Sequence, residues 1–407
     1  MAKSKPGWDL VPRIMEKTPV AKSFFVPGYI PQLDGLRGTA VIMVLIGHAA
    51  SFVQGLPFAG MMEYVRFTVD VFFVLSGFLI TGILLDSKGS AHYFRNFYAR
   101  RSLRVWPLYY LVLFLVFVVA PLFRPAMRPT VASIWPTFIL YVQNIRYHYM
   151  YPFGLGATWS LAIEEQFYLT WPVLVFLLKR QTLSIVSVCL VVVSTSVRLT
   201  SYFHGAPPTF PHMFTLARLD SIAFGCLAAL WLRSPTCTLA RWRVRSYQFL
   251  GFGLGSTLLA RILMHRNSSI VSYTFLAMAF TGLLGISLIS DPRSSLLGRS
   301  LSLDWLRHIG KISYGLYLWH LPLFILWVRF LGSLRFLESY PVARNLLAFV
   351  GQLLLATAAA SISWRFFEEP ILRHKNLFPS GSKMYCPTAG QSEQRERAEC
   401  SPNLGSV

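Results

Sequence analysis

Long apolar segments recur along most of the chain, each bounded by short polar or charged stretches. A helix that crosses a bilayer needs about 20 predominantly apolar residues, and the segments between Val41 and Ser363 have about that length. Little sequence lies between them that could form a water-soluble core. The pattern therefore predicts an all-α polytopic membrane protein. Its ten predicted spans lie near residues 38–56, 65–85, 103–123, 157–178, 182–200, 214–232, 246–264, 270–290, 308–330 and 342–364.

One further apolar stretch, near residues 130–145, is short and contains Pro136. Counting it as an eleventh span would move several later basic loops to the opposite side of the membrane. We interpret it instead as a re-entrant or interfacial helix, a type of segment that membrane proteins tolerate where protein covers its backbone. Trp135 and Tyr141 are predicted to anchor it at the interface, where aromatic side chains are enriched.

The distribution of charge predicts an orientation. Only 14% of the 407 residues are charged, yet the net charge is +21. Most lysines and arginines fall near the termini and in alternate loops, so the positive-inside rule places both termini in the cytosol. No basic surface is then left for nucleic acid. The predicted organisation is a cytosolic lead-in at 1–32, a transmembrane domain at 33–372 and a disordered cytosolic tail at 373–407.

Cysteines and sequons add little to this picture. The five cysteines are scattered, odd in number and not at metal-ligand spacing, so the sequence predicts neither a metal site nor a disulfide framework. The sequon that begins at Asn267 lies in a predicted non-cytosolic loop, which makes Asn267 a candidate glycosylation site. The loop is short, and occupancy of the site is left open.

The first span carries two chemically active side chains in a fixed relation. Arg37 follows the glycine-punctuated start LDGLRG, and His48 lies deep in the apolar part of the same span. Eleven helical steps are close to three turns, so both side chains project from nearly the same face, about 16 Å apart. With Arg37 at the membrane surface, His48 would lie near the middle of the hydrocarbon layer.

Carboxylates also occur within apolar spans, where they need a partner or a wet cavity. Asp70 lies in the second span, and Glu164 and Glu165 lie in the fourth. Adjacent residues on a helix point about 100° apart, so at most one of the two glutamates is expected to face a reaction cavity. The other is expected to pair with an arginine. The alternative is that such charges, including Arg218 and Asp220 in the sixth span, form structural ion pairs.

A cluster of arginines lies at the predicted cytosolic mouth of the third span. Arg101 and Arg104 are three residues apart and share a helix face, with Arg100 beside them. A simple positive-inside flank is the alternative interpretation. The density of guanidinium groups favours an anion site, because their planar forks match phosphate oxygens.

His320 is a further buried imidazole, at mid-depth in the ninth span. A lone buried histidine is more often a hydrogen-bonded structural residue than a catalytic one. From sequence we therefore favour a structural role for His320.

Two classes of protein would use this arrangement. A transporter would use the deep groups as a proton relay, but no internal repeat of the kind common in transporters is evident. An enzyme with a long anionic cytosolic cosubstrate would use both sets of groups. In acyl-coenzyme A the phosphates lie at one end and the thioester at the other. Arginines would hold the phosphates while His48 served as general base towards an acceptor hydroxyl and then as acid.

Eight motifs, in order, resemble the membrane acyltransferase 3 family. They are LDGLRG, the ten-residue gap between Arg37 and His48, VDVFFVLSGFLI, RSLR, TWSLAIEEQFYL, RLDSIAFG, ISYGLYLWH and FEEP, and they extend over residues 30 to 372. The resemblance implies a ten-span core that transfers an acyl group, commonly acetyl, from cytosolic acyl-CoA to an acceptor hydroxyl. Acyl-CoA would be a cosubstrate, with no permanently bound cofactor.

The resemblance also implies roles for individual residues. Arg37 and His48 match the family's essential arginine and histidine, Arg101 and Arg104 match its paired arginines, and one of the two adjacent glutamates lies in its glutamate motif. With the carboxylate argument added, the predicted catalytic residues are His48, Glu164, Glu165 and Asp70, and the predicted donor-binding residues are Arg37, Arg101 and Arg104.

Some bacterial relatives in this family carry a fused extracytoplasmic domain, for which this chain has no room, so the resemblance implies the stand-alone form. The sequences of the motifs also resemble those of stand-alone fungal members. That resemblance implies an enzyme of the endoplasmic reticulum or another endomembrane that tailors a hydroxylated small molecule, such as a terpenoid or polyketide secondary metabolite. The expected partners are acyl-CoA, this acceptor and membrane lipid. The alternatives are a glycan O-acetyltransferase and, in another class, a transporter.

Overall fold

The computed structural model describes residues 30–52, 62–146, 152–207, 209–264 and 268–379, and all regular elements in these ranges are helical. Each of the ten predicted spans overlaps a helix in the described residues, and shorter helices lie between them. The longer helices and two of the shorter ones are α1 (Pro31–Phe52), α2 (Met62–Ser87), α3 (Tyr93–Phe123), α4 (Arg128–Ile139), α5 (Trp159–Leu177), α6 (Arg180–Phe203), α7 (Leu219–Leu232), α8 (Leu239–Met264), α9 (Ser269–Ile289), α10 (Asp304–Lys311), α11 (Ser313–Ser333) and α12 (Pro341–Ser363).

Within the described residues, six helices are long and apolar enough to cross a membrane, namely α2, α3, α6, α9, α11 and α12. Helix α7 is apolar but shorter. The predicted all-helical, multi-pass membrane character is therefore confirmed. The count of ten spans and the cytosolic placement of both termini stay predictions. Asn267, the candidate glycosylation site, lies outside the described residues.

The segment near residues 130–145 forms α4 and a short 3₁₀ turn, Gln143–Arg146. The 12 residues of α4 extend about 18 Å, less than the roughly 30 Å of a hydrocarbon core, which supports the re-entrant or interfacial interpretation. Trp135 is exposed, as expected of an interfacial anchor. Tyr141 is buried and its ring stacks on that of Tyr109 at 4.5 Å, so the anchoring role predicted for Tyr141 is wrong.

Glycines bring α1 against α10 at backbone contact. A Cβ added at Gly35 or Gly38 would overlap carbonyl oxygens of the facing segment, and one at Gly310 would overlap the carbonyl oxygen of Asp34. The glycine punctuation of LDGLRG is therefore explained by close helix approach, which small residues allow in membrane proteins. This contact holds in place the helix that carries Arg37 and His48.

The main apolar core lies between α2, α3, α5 and α11. Trp171 of α5 is almost fully buried there, and its indole N–H donates to Thr81 Oγ1 of α2 at 2.8 Å. The buried ring contributes apolar burial, and its one polar atom is paired, as a buried tryptophan requires. The core thus fixes the position of α5, which carries both glutamates.

Candidate functional site

Helix α1 is continuous from Pro31 to Phe52. Arg37 and His48 therefore lie on nearly one face with an axial separation of about 16 Å, as the sequence predicted. His48 is half-buried, and its Nδ1 lies 3.0 Å from the carbonyl oxygen of Val44, one turn earlier. A carbonyl oxygen only accepts, so Nδ1 carries the proton and Nε2 is the acceptor nitrogen of the neutral ring.

A second imidazole lies against His48. The ring centroids of His48 and His320 are 5.0 Å apart, with the planes inclined at 50°. His320 on α11 is fully buried, and its Nδ1 lies 2.8 Å from the carbonyl oxygen of Tyr317. No residue in the described ranges hydrogen-bonds its Nε2. The structural role favoured from sequence for His320 is therefore incomplete, because the fold places it beside the predicted base. The sequence did contain a signal for this contact, because His48 in the first span and His320 in the ninth span are predicted at similar depths in the membrane.

Tyr317 holds this part of α11 to the start of α5. Its hydroxyl donates to the carbonyl oxygen of Ala157 at 2.7 Å and lies 2.7 Å from the hydroxyl of Ser160. Ser160 Oγ also donates to the carbonyl oxygen of Ala157, at 3.4 Å, so the three groups form one hydrogen-bonded cluster in which either hydroxyl can donate to the other. These buried bonds fix the helix turn that presents His320.

The two glutamates point to different neighbours, as predicted from their helical spacing, but the predicted ion pair of one of them with an arginine is not formed among the described residues. Glu164 accepts hydrogen bonds from Tyr168 OH at 2.8 Å and from Ser76 Oγ at 3.2 Å. Glu165 accepts one from the indole N–H of Trp106 at 3.2 Å. Both glutamates lie within electrostatic range of Arg101 at the arginine cluster, and Glu164 also lies within that range of Tyr317 next to His320. Of the pair, Glu164 is therefore the one that the structure connects to both ends of the site.

Asp70 lies in a separate buried cluster. Its carboxylate accepts from Arg218 at 2.8 Å and from the hydroxyl of Ser221 at 2.5 Å, and both charged side chains are fully buried. The Arg218 guanidinium also lies 3.8 Å from the ring centroid of Tyr273. These contacts favour the alternative of a structural ion pair, although Arg218 pairs with Asp70 rather than with Asp220. We therefore leave Asp70 out of the reaction proposed below.

Arginines from two helices meet near the start of α3. Arg101 and Arg104 each lie within electrostatic range of Arg37 on α1. Arg37 is paired with Asp34 at 2.8 Å. The guanidinium groups of Arg101 and Arg104 lie over the rings of Tyr168 and Trp364 at 5.3 and 5.7 Å. The fold thus brings the three predicted donor-binding arginines together.

A cavity of about 150 Å³ opens beside this cluster, and we call it the cationic cavity. Four basic side chains line it, and no carboxylate of the described residues does. Like charges repel, so such a cavity is suited to an anion with several negative oxygens. The four are Arg100, Arg101, Arg104 and Lys375.

Lys375 reaches the cationic cavity from the segment predicted to be a disordered tail. Residues 374–377 form a 3₁₀ turn packed on α3, so the predicted boundary at 373 is too early. Arg100 donates to the carbonyl oxygens of Lys375 and Phe378 at 3.2 and 2.8 Å. Arg100 was predicted as part of the anion site, but two of its hydrogen bonds hold this turn in place. Lys375 was not predicted from sequence, because the composition of the segment from residue 373 onwards is typical of disorder and gives no sign of an ordered turn.

Comparison with known proteins identifies the family of the chain. Residues 30–365 match the family described as "Acyltransferase domain". The chain is 33% identical over 386 residues to "O-acetyltransferase OatA" of Staphylococcus aureus, covering 86% of this chain and 58% of that protein. It is 33% identical over 370 residues to "Putative peptidoglycan O-acetyltransferase YrhL" of Bacillus subtilis, covering 84% and 55%. It is 32% identical over 371 residues to "Peptidoglycan O-acetyltransferase OatA" of Listeria monocytogenes, covering 85% and 56%.

The chain thus spans a little over half the length of these curated relatives. No solved structure matches it. Within the described residues, no group of three or more histidine, cysteine or acidic side chains is placed to hold a metal ion.

Proposed function

Because the chain belongs to the membrane acyltransferase 3 family, we propose that it is a membrane O-acetyltransferase that esterifies a hydroxyl of a glycan. The observation that carries the proposal is that one continuous helix, α1, holds Arg37 near its start and His48 three turns further along on nearly the same face. The glycan acceptor is supported by the relatives, two of which are named for peptidoglycan.

The acceptor and location first inferred from sequence are revised. A secondary-metabolite acceptor and an endoplasmic-reticulum location rested on the resemblance to fungal members. The relatives that match are bacterial proteins, and their names give no support to either inference. We therefore replace the small-molecule acceptor by the glycan, which had been the alternative. Family membership also favours an enzyme over a transporter.

The proposed donor is acetyl-CoA, presented from the side of the cationic cavity. Arg101 and Arg104, with Lys375, offer guanidinium and ammonium donors to its phosphates. Arg37 lies on the same helix face as His48 and would guide the pantetheine arm towards it. The axial distance of about 16 Å between these two residues is suited to that extended arm.

His48 would carry out the proton transfers. Its Nε2 takes the proton of the acceptor hydroxyl as the oxygen attacks the thioester carbonyl carbon. The C–S bond then breaks, and the imidazolium returns the proton to the leaving thiolate. The products are the O-acetyl ester and free coenzyme A, and His48 ends the cycle neutral, as it began. The hydrogen bond of Nδ1 to Val44 keeps the ring in the tautomer that this step needs.

His320 and Glu164 would act on this centre through position and charge. The His320 ring packs against His48 and limits its rotation. Glu164, bonded to Tyr168 and Ser76, balances the positive potential of Arg101 near the path of the donor. Positioning of this kind governs how often reactants meet in a productive geometry.

The test uses purified protein in liposomes with acetyl-CoA and a hydroxylated glycan such as peptidoglycan fragments. Release of coenzyme A and formation of an alkali-labile acetyl ester on the glycan are expected. His48→Gln should lower the rate by about 10²–10⁴-fold, the usual contribution of a general base, while acetyl-CoA still binds. Acetylation of the glycan by the His48→Gln protein at the wild-type rate would refute the mechanism.

A further inference from the structure

A second cavity, of about 550 Å³, lies between α6, α7, α8 and α9. We call it the lateral groove. Its length is lined by apolar side chains, among them Phe224, Leu227 and Phe249. A volume of this size is within the range of sites for small ligands, about 300–1,000 Å³. Gln181 and four hydroxyl-bearing side chains also line it, so the lining is mostly but not wholly apolar.

Two guanidinium groups line the lateral groove as well. Arg180, at the first residue of α6, donates to the carbonyl oxygen of Leu230 at 3.0 Å. Arg245 of α8 lies over the ring of Trp231 at 5.2 Å, and that ring stacks on Trp242 at 5.1 Å. Both arginines are thus held in place by contacts that leave their charge intact.

The charge of these arginines is not balanced by the walls of the groove. No carboxylate of the described residues lines it. The nearby Asp86 is paired with Arg233, through two bonds of 2.9 and 2.7 Å. The groove therefore combines an apolar floor with a net positive potential.

From this combination we propose that the lateral groove binds an anionic phospholipid. The lipid phosphate lies between Arg180 and Arg245, and one acyl chain follows the apolar floor. A free polyanion would leave the floor uncovered, and a zwitterionic lipid would oppose the arginines with its own cation. Basic pockets between membrane helices on the cytoplasmic side recognise anionic headgroups in this way, and the predicted topology places these arginines on that side.

The proposal is independent of the transfer reaction, because none of these residues belongs to the site of His48. Full-length protein is purified, exchanged into nanodiscs that contain equal amounts of phosphatidylglycerol and phosphatidylcholine with identical acyl chains, and analysed by native mass spectrometry for retained lipid. The wild-type protein is expected to retain phosphatidylglycerol with a preference of at least about tenfold.

Three variants locate that preference. Arg180→Gln combined with Arg245→Gln should abolish it. Arg243→Gln is the matched control, because Arg243 is an exposed residue of the same helix and does not line the groove. Leu227→Trp fills the apolar floor with both arginines present, so retention of phosphatidylglycerol should fall with this variant too.

Equal retention of both lipids by the wild-type protein would overturn the proposal, and so would a preference that persists in the double variant. If the double variant fails to fold, as judged by gel filtration, the Leu227→Trp protein decides. Undiminished retention of phosphatidylglycerol by that folded variant would place the lipid elsewhere and also overturn the proposal.

Discussion

Replacement of Lys375 by glutamine is the most direct test of the cationic cavity. Arg101 and Arg104 lie over aromatic rings, and Arg100 holds the 3₁₀ turn at residues 374–377. Changing any of them would therefore alter packing as well as charge. Lys375 is half-buried and reaches the cavity from a short turn. Glutamine keeps most of its aliphatic stem and removes the charge.

The expected effect follows from the surroundings of the ammonium group. A hydrogen bond to a charged group contributes about 1.5–3 kcal/mol. Lys375 is one of four basic groups around the cavity, and burial together with the neighbouring Arg104, Arg101 and Arg100 lowers its pKa to about 7. At neutral pH only part of the population therefore carries the charge, so the lower end applies. About 1.4 kcal/mol is a tenfold change in an equilibrium constant. We expect a KM for acetyl-CoA about tenfold higher, with kcat nearly unchanged, because the contact is made equally in ground and transition states.

The assay compares two acetyl donors. Initial rates of thiol release are measured with acetyl-CoA and with acetyl-pantetheine, which has the thioester but no phosphates. Lys375→Gln should raise KM for the first donor and leave that for the second unchanged. Arg373→Gln is the matched control, since Arg373 is exposed, two residues away, and does not line the cavity.

Two outcomes would refute this reasoning in different ways. An unchanged KM for acetyl-CoA in the Lys375→Gln protein would show that the cavity does not hold the donor phosphates. An equal rise with both donors would show that the substitution acts through the shape of the protein and not through charge.

Three further predictions concern other parts of the fold. His320→Gln should lower kcat by at least about tenfold and leave the KM for acetyl-CoA unchanged, as steady-state kinetics would show, because the ring positions the base and does not contact the donor. Gly310→Ala should lower the midpoint of thermal unfolding, because its Cβ overlaps a carbonyl of α1, whereas Gly332→Ala, with open space around it, should not. Asp70→Ala should lower the free energy of unfolding by about 3–5 kcal/mol, because it leaves Arg218 charged, buried and unpaired. Denaturant unfolding should show that the double variant Asp70→Leu/Arg218→Met recovers part of this loss of stability.

The first helix shows how much could be inferred from local pattern. An apolar run of sufficient length predicts a helix, and helical geometry then places Arg37 and His48 on one face. Both inferences depend only on residues close together in the chain. The same reasoning correctly separated the directions of Glu164 and Glu165.

Errors arose where a residue's role depends on distant partners. Tyr141 was expected at the membrane interface, but a turn with a positive φ of 52° directs the chain so that its ring packs on Tyr109. The catalytic role of Asp70 stays a prediction, but its pairing with Arg218, the residue before α7, depends on tertiary structure. In each case the partner lies tens of residues away, and neither hydropathy nor spacing within one element predicts which helices become neighbours.

By itself, the sequence determined the helical membrane class, the approximate helix positions, the family and the axis from Arg37 to His48. Tertiary structure alone decided that His320 lies against His48, that Lys375 completes the cationic cavity, and that arginines converge on the lateral groove. The physical reason is that apolar periodicity determines which face of a helix is buried, whereas contacts between helices depend on close packing and charge pairing among residues far apart in the chain.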